Sequence, residues 1–313
     1  MKNVDLSLIS YMYFRKDMSQ SDIAERLGLS KVAVSRILQR AKKYNIYVVD
    51  VKLPFDRNDK LENILKERYN LKDAVVVKKP ESVKEGISKY LGKVGAFYLN
   101  LTVKDNCIIG IGIGHTIGHL VNALMPMKMK NVFVVQLQGG LTNVEYYNPF
   151  SIMQKICEKL DAQGTYITSS AIVNSKEQRD LIIHKPSIGE PIYEIWQRCD
   201  KALFGIGTID KSSFIVPNII GKKEIEEIKR IGSVGNIMGH CFNLEGEFLK
   251  NELEEKLVSI PVNMIFNIPE RIAIAGGNEK VYAIKGALSS GIITILMTDE
   301  KTAKEIINLE KIK

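Results

Sequence analysis

The chain of 313 residues is long enough for one small module and one larger domain. Its hydrophobic fraction of 45% and charged fraction of 26% are ordinary for a globular protein, so a sizeable core can be buried. No apolar run approaches the roughly 20 residues that cross a bilayer, and the N-terminus lacks the features of a signal peptide. Four dispersed cysteines argue against a disulfide framework or a zinc module, and we expect a cytoplasmic protein without a membrane partner.

The net charge of +8 is concentrated at the N-terminal end of the chain. Residues 1–52 contain ten Lys and Arg against five Asp and Glu, a net charge of +5, which leaves +3 for the other 261 residues. A short basic module is typical of a polyanion binder, although a solvated charged surface has a similar composition.

The first predicted helix covers residues 4–15. Its apolar side chains recur at helical spacing, at Val4, Leu8, Tyr11 and Met12. The pattern predicts one apolar face on this helix.

Two further helices follow, joined by a tight turn. Residues 19–27 form the second, with Ser19 as its N-cap and Asp22 at the capping-box position, and Gly28 ends it in the left-handed conformation. Ser30 caps the third helix. The inward face of the third helix consists of Val34, Ile37, Leu38 and Ala41.

The region after the third helix predicts a domain boundary. The β-branched segment 46–51 suits a wing strand or the end of the module, and the polar segment 54–60 suits a linker. A helix is then predicted over 61–70. The predicted organisation is therefore a helical module over 1–53, a linker over 54–60 and a large domain over 61–313.

The large domain alternates short β-branched runs with longer amphipathic stretches. Such alternation favours βαβ units around a largely parallel sheet, which makes the fold class α/β. The predicted strands lie at 74–77, 107–112, 132–137, 201–207, 271–277 and 292–297.

Residues 19–44 have the helix, glycine turn and second helix of a helix-turn-helix, which inserts its second helix into the major groove of DNA. A helical hairpin that only packs or dimerises is the alternative. Lys31 and Arg36 are candidates for guanine recognition, and Arg40 and Lys42 for phosphate contacts. The full set of predicted DNA-binding residues is Gln20, Ser21, Lys31, Val32, Ser35, Arg36, Arg40 and Lys42.

A glycine loop within residues 107–120 is the strongest chemical signal of the large domain. A strand runs into Gly112 and Gly114, and an amphipathic helix follows, so that main-chain N–H groups can approach an anion. Thr116 adds a hydroxyl. The spacing matches neither the dinucleotide fingerprint nor a P-loop, and a purely structural turn is the alternative.

Three other strand ends are expected to meet this loop, because ligands of open α/β folds bind at the carboxyl edge of the sheet. They are Gln138-Gly139-Gly140, residues 205–208 and residues 276–280. Lys280 could reach a ligand phosphate, or it could be a solvated lysine at a helix start.

No catalytic, cofactor or metal site is predicted. His115 and His119 could share a helical face, but no third ligand stands at convincing spacing, which leaves His115 as a ligand donor or an ordinary loop residue.

The chain resembles the SorC-type sugar-responsive transcriptional regulators. Within that family it is similar to the branch that responds to deoxyribonucleoside-derived phosphates. The resemblance extends over ordered blocks along nearly the whole chain. They include SQSDIAERLGLSKVAVSRILQRAKK, GIGIGHT, VVQLQGG, LFGIGTI, VGNIMGHCFN and AGGNEKVYAIKGAL. It implies an N-terminal helix-turn-helix, a non-catalytic effector domain related to phosphosugar isomerases, and homodimers or homotetramers on operator DNA.

The resemblance also implies an effector site. Its phosphate-holding loop falls on Gly112, Gly114, His115 and Thr116, and its Gly-Gly…Lys element on Gly276, Gly277 and Lys280. Five departures concern the effector. Ile113 replaces an aromatic residue, Gln138 replaces a lysine that some members carry and that could form a Schiff base, Asn236 replaces an aspartate, and His240 and Asn243 replace residues that are commonly Arg and Asp.

These departures favour a non-covalent ligand. The predicted effector-binding residues are Gly112, Gly114, His115, Thr116, Gln138, Gly139, Asn236 and Lys280. The predicted function is a DNA-binding transcriptional regulator that is controlled by a small phosphorylated sugar-like effector. Two alternatives remain open: a phosphosugar isomerase-type enzyme with an accessory DNA-binding module, and a DNA-binding scaffold without ligand control.

Overall fold

The computed structural model describes residues 5–49, 51–140, 149–185, 190–209 and 220–309. The helices are Leu6–Arg15 (α1), Gln20–Leu27 (α2), Lys31–Lys43 (α3), Asp59–Tyr69 (α4), Ile87–Thr102 (α5), His115–Ala123 (α6), Pro149–Leu160 (α7), Lys176–His184 (α8), Ile192–Trp196 (α9), Lys222–Arg230 (α10), Val262–Asn267 (α11), Val281–Ser289 (α12) and Glu300–Leu309 (α13). The strands are Asp56–Arg57 (β1), Asp73–Lys78 (β2), Ile108–Ile111 (β3), Phe133–Gln136 (β4), Gln163–Thr165 (β5), Lys201–Phe204 (β6), Gly235–Ile237 (β7), His240–Phe242 (β8), Glu270–Ile274 (β9) and Ile295–Asp299 (β10). No helix in these ranges is long and apolar enough to span a bilayer.

The chain divides into two compact units, 1–54 and 55–313. The first unit packs α1, α2 and α3 around a small core. The predicted caps are present, since Ser19 and Asp22 form a capping box and Gly28 ends α2 at a φ of +64°. Ser30 Oγ accepts a hydrogen bond from the Ala33 N–H (3.1 Å), which fixes the start of α3. The core consists of Ile9, Met12, Ile23, Ala24, Val34 and Leu38.

The first predicted helix is present as α1, but its packed face differs in part from the predicted residues. Leu8 and Tyr11 are exposed, while Ile9 and Met12 are buried; Val4 lies outside the described residues. Of the two alternatives for segment 46–51, the wing strand is not found: residues 46–49 form no strand, since no described strand of this unit lies beside them, and the unit ends shortly afterwards, at residue 54.

Much of the segment 54–60 that was expected to be a linker is ordered secondary structure of the second unit. Its strand β1 pairs antiparallel with β2, and Arg57 donates hydrogen bonds to both carboxylate oxygens of the buried Glu62 (2.8 and 2.9 Å). Asn58 then caps α4 by accepting a hydrogen bond from the Leu61 N–H (3.1 Å).

The second unit is built on a sheet with the strand order β1-β2-β10-β9-β6-β3-β4-β5, in which every pair except β1–β2 is parallel. The six predicted strands are present as β2, β3, β4, β6, β9 and β10, which confirms the α/β class. The short strands β1 and β5 and the hairpin β7–β8 were not predicted.

Helices cover both faces of this sheet. Alternate residues of β2 enter different cores, Ala74 and Val76 on one face and Val75 and Val77 on the other. The first core receives apolar residues from α4, α9, α11, α12 and α13, and the second from α5, α6 and α7. Burial on both faces explains why these strands are nearly continuous apolar runs.

Candidate functional site

The candidate ligand site lies where the sheet topology reverses direction. Strands β3 and β6 are neighbours, but the chain continues from β3 to β4 and β5 on one side and from β6 to β9 and β10 on the other. Loops that leave such a pair in opposite directions open a crevice at the carboxyl ends of the strands. A cavity of about 240 Å³ lies between the loops that follow β3, β4, β6 and β9, a volume suited to a small ligand.

The cavity brings together most of the predicted effector-binding residues. It is lined by Gly114, His115, Thr116, Gln138, Asn236 and Lys280, together with residues 205–208. Gly112 and Gly139 do not line it. A Cβ at Gly112 would lie 3.2 Å from Phe204 Cβ, and one at Gly139 would lie 2.5 Å from the Ser170 carbonyl oxygen, so both glycines serve close packing.

The start of α6 presents main-chain N–H groups beside the cavity. Gly114 adopts a φ of +151°, which favours glycine, and this turns the chain from β3 into the helix. The first intrahelical bond runs from the Gly118 N–H to the Gly114 carbonyl (3.0 Å), which leaves the preceding N–H groups without an intrahelical acceptor. Their partial positive charge favours an anion.

Lys280 brings a cation to the same cavity. Its ammonium donates a hydrogen bond to the carbonyl oxygen of Ile206 (2.8 Å), at the end of β6. Burial lowers the pKa of Lys280, and the carboxylate of Glu279 partly offsets this effect. A bound anion would stabilise the charged form of this lysine.

His115 is the second titratable group on the cationic side of the cavity. Partial burial lowers the pKa of His115, and the positive charge of Lys280 lowers it further. His119, one turn later, is half-buried against α5 at Gly92. Within the described ranges no group of three His, Cys, Asp or Glu side chains could hold a metal ion.

Three polar side chains on largely buried residues line the cavity and form no side-chain hydrogen bond with the described residues. They are the hydroxyl of Thr116 and the amides of Gln138 and Asn236, each on a residue less than 10% exposed. Among the described residues only Thr298 Oγ1 is a fully buried polar side-chain atom without a partner, so the polar atoms of these three residues are accessible from the cavity. These groups are suited to hydrogen bonds with ligand hydroxyls.

Hydrogen bonds to their main-chain atoms hold Gln138 and Asn236 in place. Gln136 donates from Nε2 to the carbonyl oxygen of Gln138, and its Oε1 accepts from the Ile167 N–H (3.1 Å). Asn236 exchanges two main-chain hydrogen bonds with Gly207, each of 2.9 Å, which ties β7 to the loop after β6. Gln136 and Gly207 therefore fix the main-chain positions of the two residues whose side-chain amides line the cavity.

A buried carboxylate supports the turn that carries Lys280. The Gly277 N–H donates to Asp299 Oδ2 (3.0 Å) and to Thr302 Oγ1 (2.8 Å), and the Thr302 hydroxyl donates to Asp299 Oδ2 (2.6 Å). A Cβ at Gly276 would lie 2.4 Å from the same carboxylate oxygen. The paired glycines allow this close approach, and the network holds the start of α12.

Several cavity residues were not predicted. Ile87 and Ser88 reach it from the start of α5, and Met238 and Glu279 also line it. No local motif marks Ile87 and Ser88, since the crossover between β2 and β3 brings them there. Glu279 belonged to a glycine loop that was predicted to approach the site, and its carboxylate could have been included on that ground.

Two of the departures that were noted in the sequence lie away from the cavity. His240 is buried, with Nδ1 2.5 Å from Glu254 Oε1 and Nε2 2.9 Å from the Ile260 carbonyl oxygen, so it braces the segment that ends at Ile260. Asn243 donates from Nδ2 to Glu247 Oε2 (2.8 Å) and organises a turn. Ile113 does line the cavity.

The candidate DNA-binding residues form a largely accessible set in the first unit. In α3, whose buried residues are Val34, Leu38 and Ala41, most of the candidates are solvent-exposed. The exposed candidates are Ser21, Lys31, Val32, Arg36, Arg40 and Lys42, while Gln20 and Ser35 are half-buried.

The comparisons with known proteins cover both units. Residues 54–308 match the family model Sugar-bind, described as "Putative sugar-binding domain". The chain is 30% identical over 299 residues to the deoxyribonucleoside regulator of Bacillus subtilis, with 95% of each chain covered. It is also 30% identical over 302 residues to the erythritol catabolism regulatory protein EryD of Brucella abortus, with 95% of this chain and 94% of the relative covered.

Among solved structures, the full-length sorbitol operon regulator SorC of Klebsiella pneumoniae superposes with a TM-score of 0.75 at 25% identity. The superposition covers 97% of this chain and all of that one. The similarity therefore includes both the helical unit and the α/β unit.

Proposed function

The chain belongs to the SorC family of sugar-responsive, DNA-binding transcriptional regulators, and we propose that a small phosphorylated sugar-like molecule is its effector. The observation that carries this proposal is one cavity lined by two chemically different sets of groups. Lys280 and the start of α6, which includes Thr116, form a cationic set, and the amides of Gln138 and Asn236 form a polar, uncharged set.

The cationic groups, Lys280 and the start of α6, are suited to binding a phosphate. A phosphate oxygen can accept hydrogen bonds from the main-chain N–H groups at the start of α6, and Lys280 contributes a charge-assisted bond. Thr116, in the first turn of α6, would add its hydroxyl.

The side-chain amides of Gln138 and Asn236 are suited to binding the hydroxyl groups of a sugar or polyol, because an amide both donates and accepts hydrogen bonds. Gln138 cannot form a Schiff base, so the ligand at this position is held non-covalently. The names of the relatives refer to deoxyribonucleosides, erythritol and sorbitol, all of which carry sugar or polyol hydroxyl groups.

We further propose that the protein binds operator DNA through α3 as a homodimer or homotetramer in the cytoplasm. Lys31, Ser35 and Arg36 would contact base edges, and Arg40 and Lys42 would contact phosphates. The cavity would bind its ligand without converting it. A turnover assay on pentose and hexose phosphates tests the last point, since an isomerised sugar would establish an enzyme.

Thermal unfolding with paired ligands tests the effector proposal. Ribose 5-phosphate, deoxyribose 5-phosphate and erythritol 4-phosphate would each be compared with the unphosphorylated compound. We expect at least one phosphorylated compound to raise the Tm, since binding to the native state stabilises it. Thr116→Ala should reduce that increase. Equal stabilisation by the free sugar would contradict the anion site.

A further inference from the structure

Helix α1 has two apolar faces, and only one of them is packed. Ile9 and Met12 are buried in the core of the first unit. On the other face, Leu8 is 50% exposed and Tyr11 is 55% exposed, and Phe14 is also exposed. Phe14 packs on Tyr47 of the same unit, but about half of the surface of Leu8 and of Tyr11 is left uncovered.

A groove of about 610 Å³ lies between this face and the segment that follows α3. Ser7, Tyr11 and Phe14 line one wall, and residues 46–49 line the other, where Val48 is 85% exposed. No hydrogen bond joins the main chain of Val48 or Val49 to another described residue. A groove that combines exposed apolar side chains, a few polar ones and open main-chain groups is suited to a protein–protein contact.

The charges and side-chain sizes along α1 indicate what fills the groove. Asp5 is the N-cap of the helix and accepts hydrogen bonds from the Ser7 and Leu8 N–H groups, while Arg15 is the last helical residue and Lys16 the C-cap. The small Ser7 lies near the acidic end, and the large Phe14 near the basic end. When two such helices lie antiparallel, the acidic end of each therefore faces the basic end of the other, and the small Ser7 of each faces the large side chain at position 14 of the other.

We propose that this groove is the contact between the DNA-binding units of two copies of the chain, with their α1 helices antiparallel about a two-fold axis near residues 10 and 11. In this arrangement Ser7 faces Phe14 of the partner subunit, and Asp5 lies near Lys16 of the partner subunit. In such an isologous contact every residue pair occurs twice, because the two-fold axis repeats it.

The contact leaves the DNA-binding surface free. None of the candidate DNA-binding residues lines the groove. A two-fold pair of recognition helices matches a palindromic operator, whose half-sites lie about one helical turn apart. The inference thus rests on the proposed DNA binding for its purpose, while the contact itself can be tested without DNA.

Cysteine cross-linking of the full chain tests the antiparallel geometry. Residues 7 and 14 of one helix lie roughly 10.5 Å apart along the axis, which is too far for a disulfide within one chain. We expect mild oxidation of the Ser7→Cys/Phe14→Cys double variant to give covalent dimers on a non-reducing gel. The single variants and the parent chain, with its native cysteines, should give at least ten-fold less.

Two results would overturn the geometry: no excess of dimers from the double variant, or equal yields from the single variants. Leu101→Cys, on an exposed residue of α5, controls for random collisions. Native-like circular dichroism of the double variant must accompany the result, because Phe14 packs on Tyr47 at a ring-centroid distance of 4.3 Å.

Tyr11→Glu provides a second test that keeps the Phe14–Tyr47 contact. It places two carboxylates near the proposed axis, and we expect binding to a two-half-site duplex, selected from a random pool, to weaken at least ten-fold. Affinity for a single half-site should stay within two-fold, as should all binding by the Leu101→Glu control. An unchanged two-half-site affinity would contradict the interface, whereas absent DNA binding by the parent chain would instead contradict the proposed function.

Discussion

Lys280 is held inside the cavity by the carbonyl oxygen of Ile206, in a position to receive an anion. We expect Lys280→Met to weaken binding of a phosphorylated ligand about 30-fold, since a hydrogen bond to a charged group contributes about 2 kcal/mol. Calorimetric titration measures this change. Lys301→Met, at an exposed lysine of α13, should leave the affinity unchanged.

The same variant has a second signature in the absence of ligand. Burial and the Lys280 charge both lower the pKa of His115, so Lys280→Met removes one of these effects and should raise that pKa. Titration of the His115 ring protons by NMR measures it. An unchanged His115 pKa would contradict the electrostatic contact between the two side chains.

Two buried threonines on either side of the junction between β10 and α13 offer a matched comparison. Thr302 Oγ1 bonds the Gly277 N–H and Asp299, whereas Thr298 Oγ1 is buried with no hydrogen-bond partner. Thr302→Val should therefore lower the free energy of unfolding in urea by about 1–3 kcal/mol, and Thr298→Val should be neutral or stabilising. Equal losses in the two variants would contradict the role given to the hydrogen-bond network.

The predictability of individual site residues depended on whether their roles were local. Gly114 was identifiable because a glycine between a strand and a helix has a local conformational purpose. The packing roles of Gly112 and Gly139 depend on Phe204 and Ser170, which lie far along the chain. For the same reason, no local pattern indicated Ser88 or the Asp299 network.

At the scale of the element, the turn between α2 and α3 depends on the left-handed Gly28. A Cβ at this position would meet nothing within 4 Å, so Gly28→Ala tests conformation alone. We expect a loss of about 1 kcal/mol in the stability of the first unit, measured by amide hydrogen exchange in α2 and α3. Gly28→Asn should lose less, because asparagine tolerates this conformation; a larger loss with Asn would contradict the explanation.

We propose that the N-terminal half of α3 contacts bases and that its C-terminal half contacts phosphates. Arg36→Ala should reduce discrimination between a selected operator and random duplex, because arginine can form two hydrogen bonds to one guanine. Lys42→Ala should weaken binding to both duplexes alike and reduce the salt dependence. Fluorescence anisotropy with both duplexes measures the two effects. Unchanged operator preference in Arg36→Ala would mean that another face of α3 enters the groove.

The elements that could be predicted from the sequence are those with a local signal. The six buried parallel strands are apolar runs, and the helices of the first unit carry recognisable caps. Strand β5 has the sequence QGT and forms by pairing with β4, so it lacks such a signal. The segment 46–49 has the composition of a strand, but none of the described strands lies beside it, so strand-like composition is not matched by a ladder here.

At the scale of the whole molecule, the two units carry separable chemistry. The first bears the excess positive charge and the exposed face of α3, and the second bears a cavity lined by cationic and by uncharged polar groups. In a regulator of this kind, effector binding must change the affinity for operator DNA. The corresponding coupling free energy is about 1–3 kcal/mol in allosteric proteins. This coupling is the central claim, because either unit could bind its own ligand independently.

One titration tests the coupling directly. The Kd for a selected operator would be measured by fluorescence anisotropy with and without a saturating phosphorylated sugar that raises the Tm. We predict a change of about 5- to 150-fold in the parent chain, and a similar change in Lys280→Met only at higher ligand concentration. An operator Kd that stays the same when the ligand is bound would contradict the account.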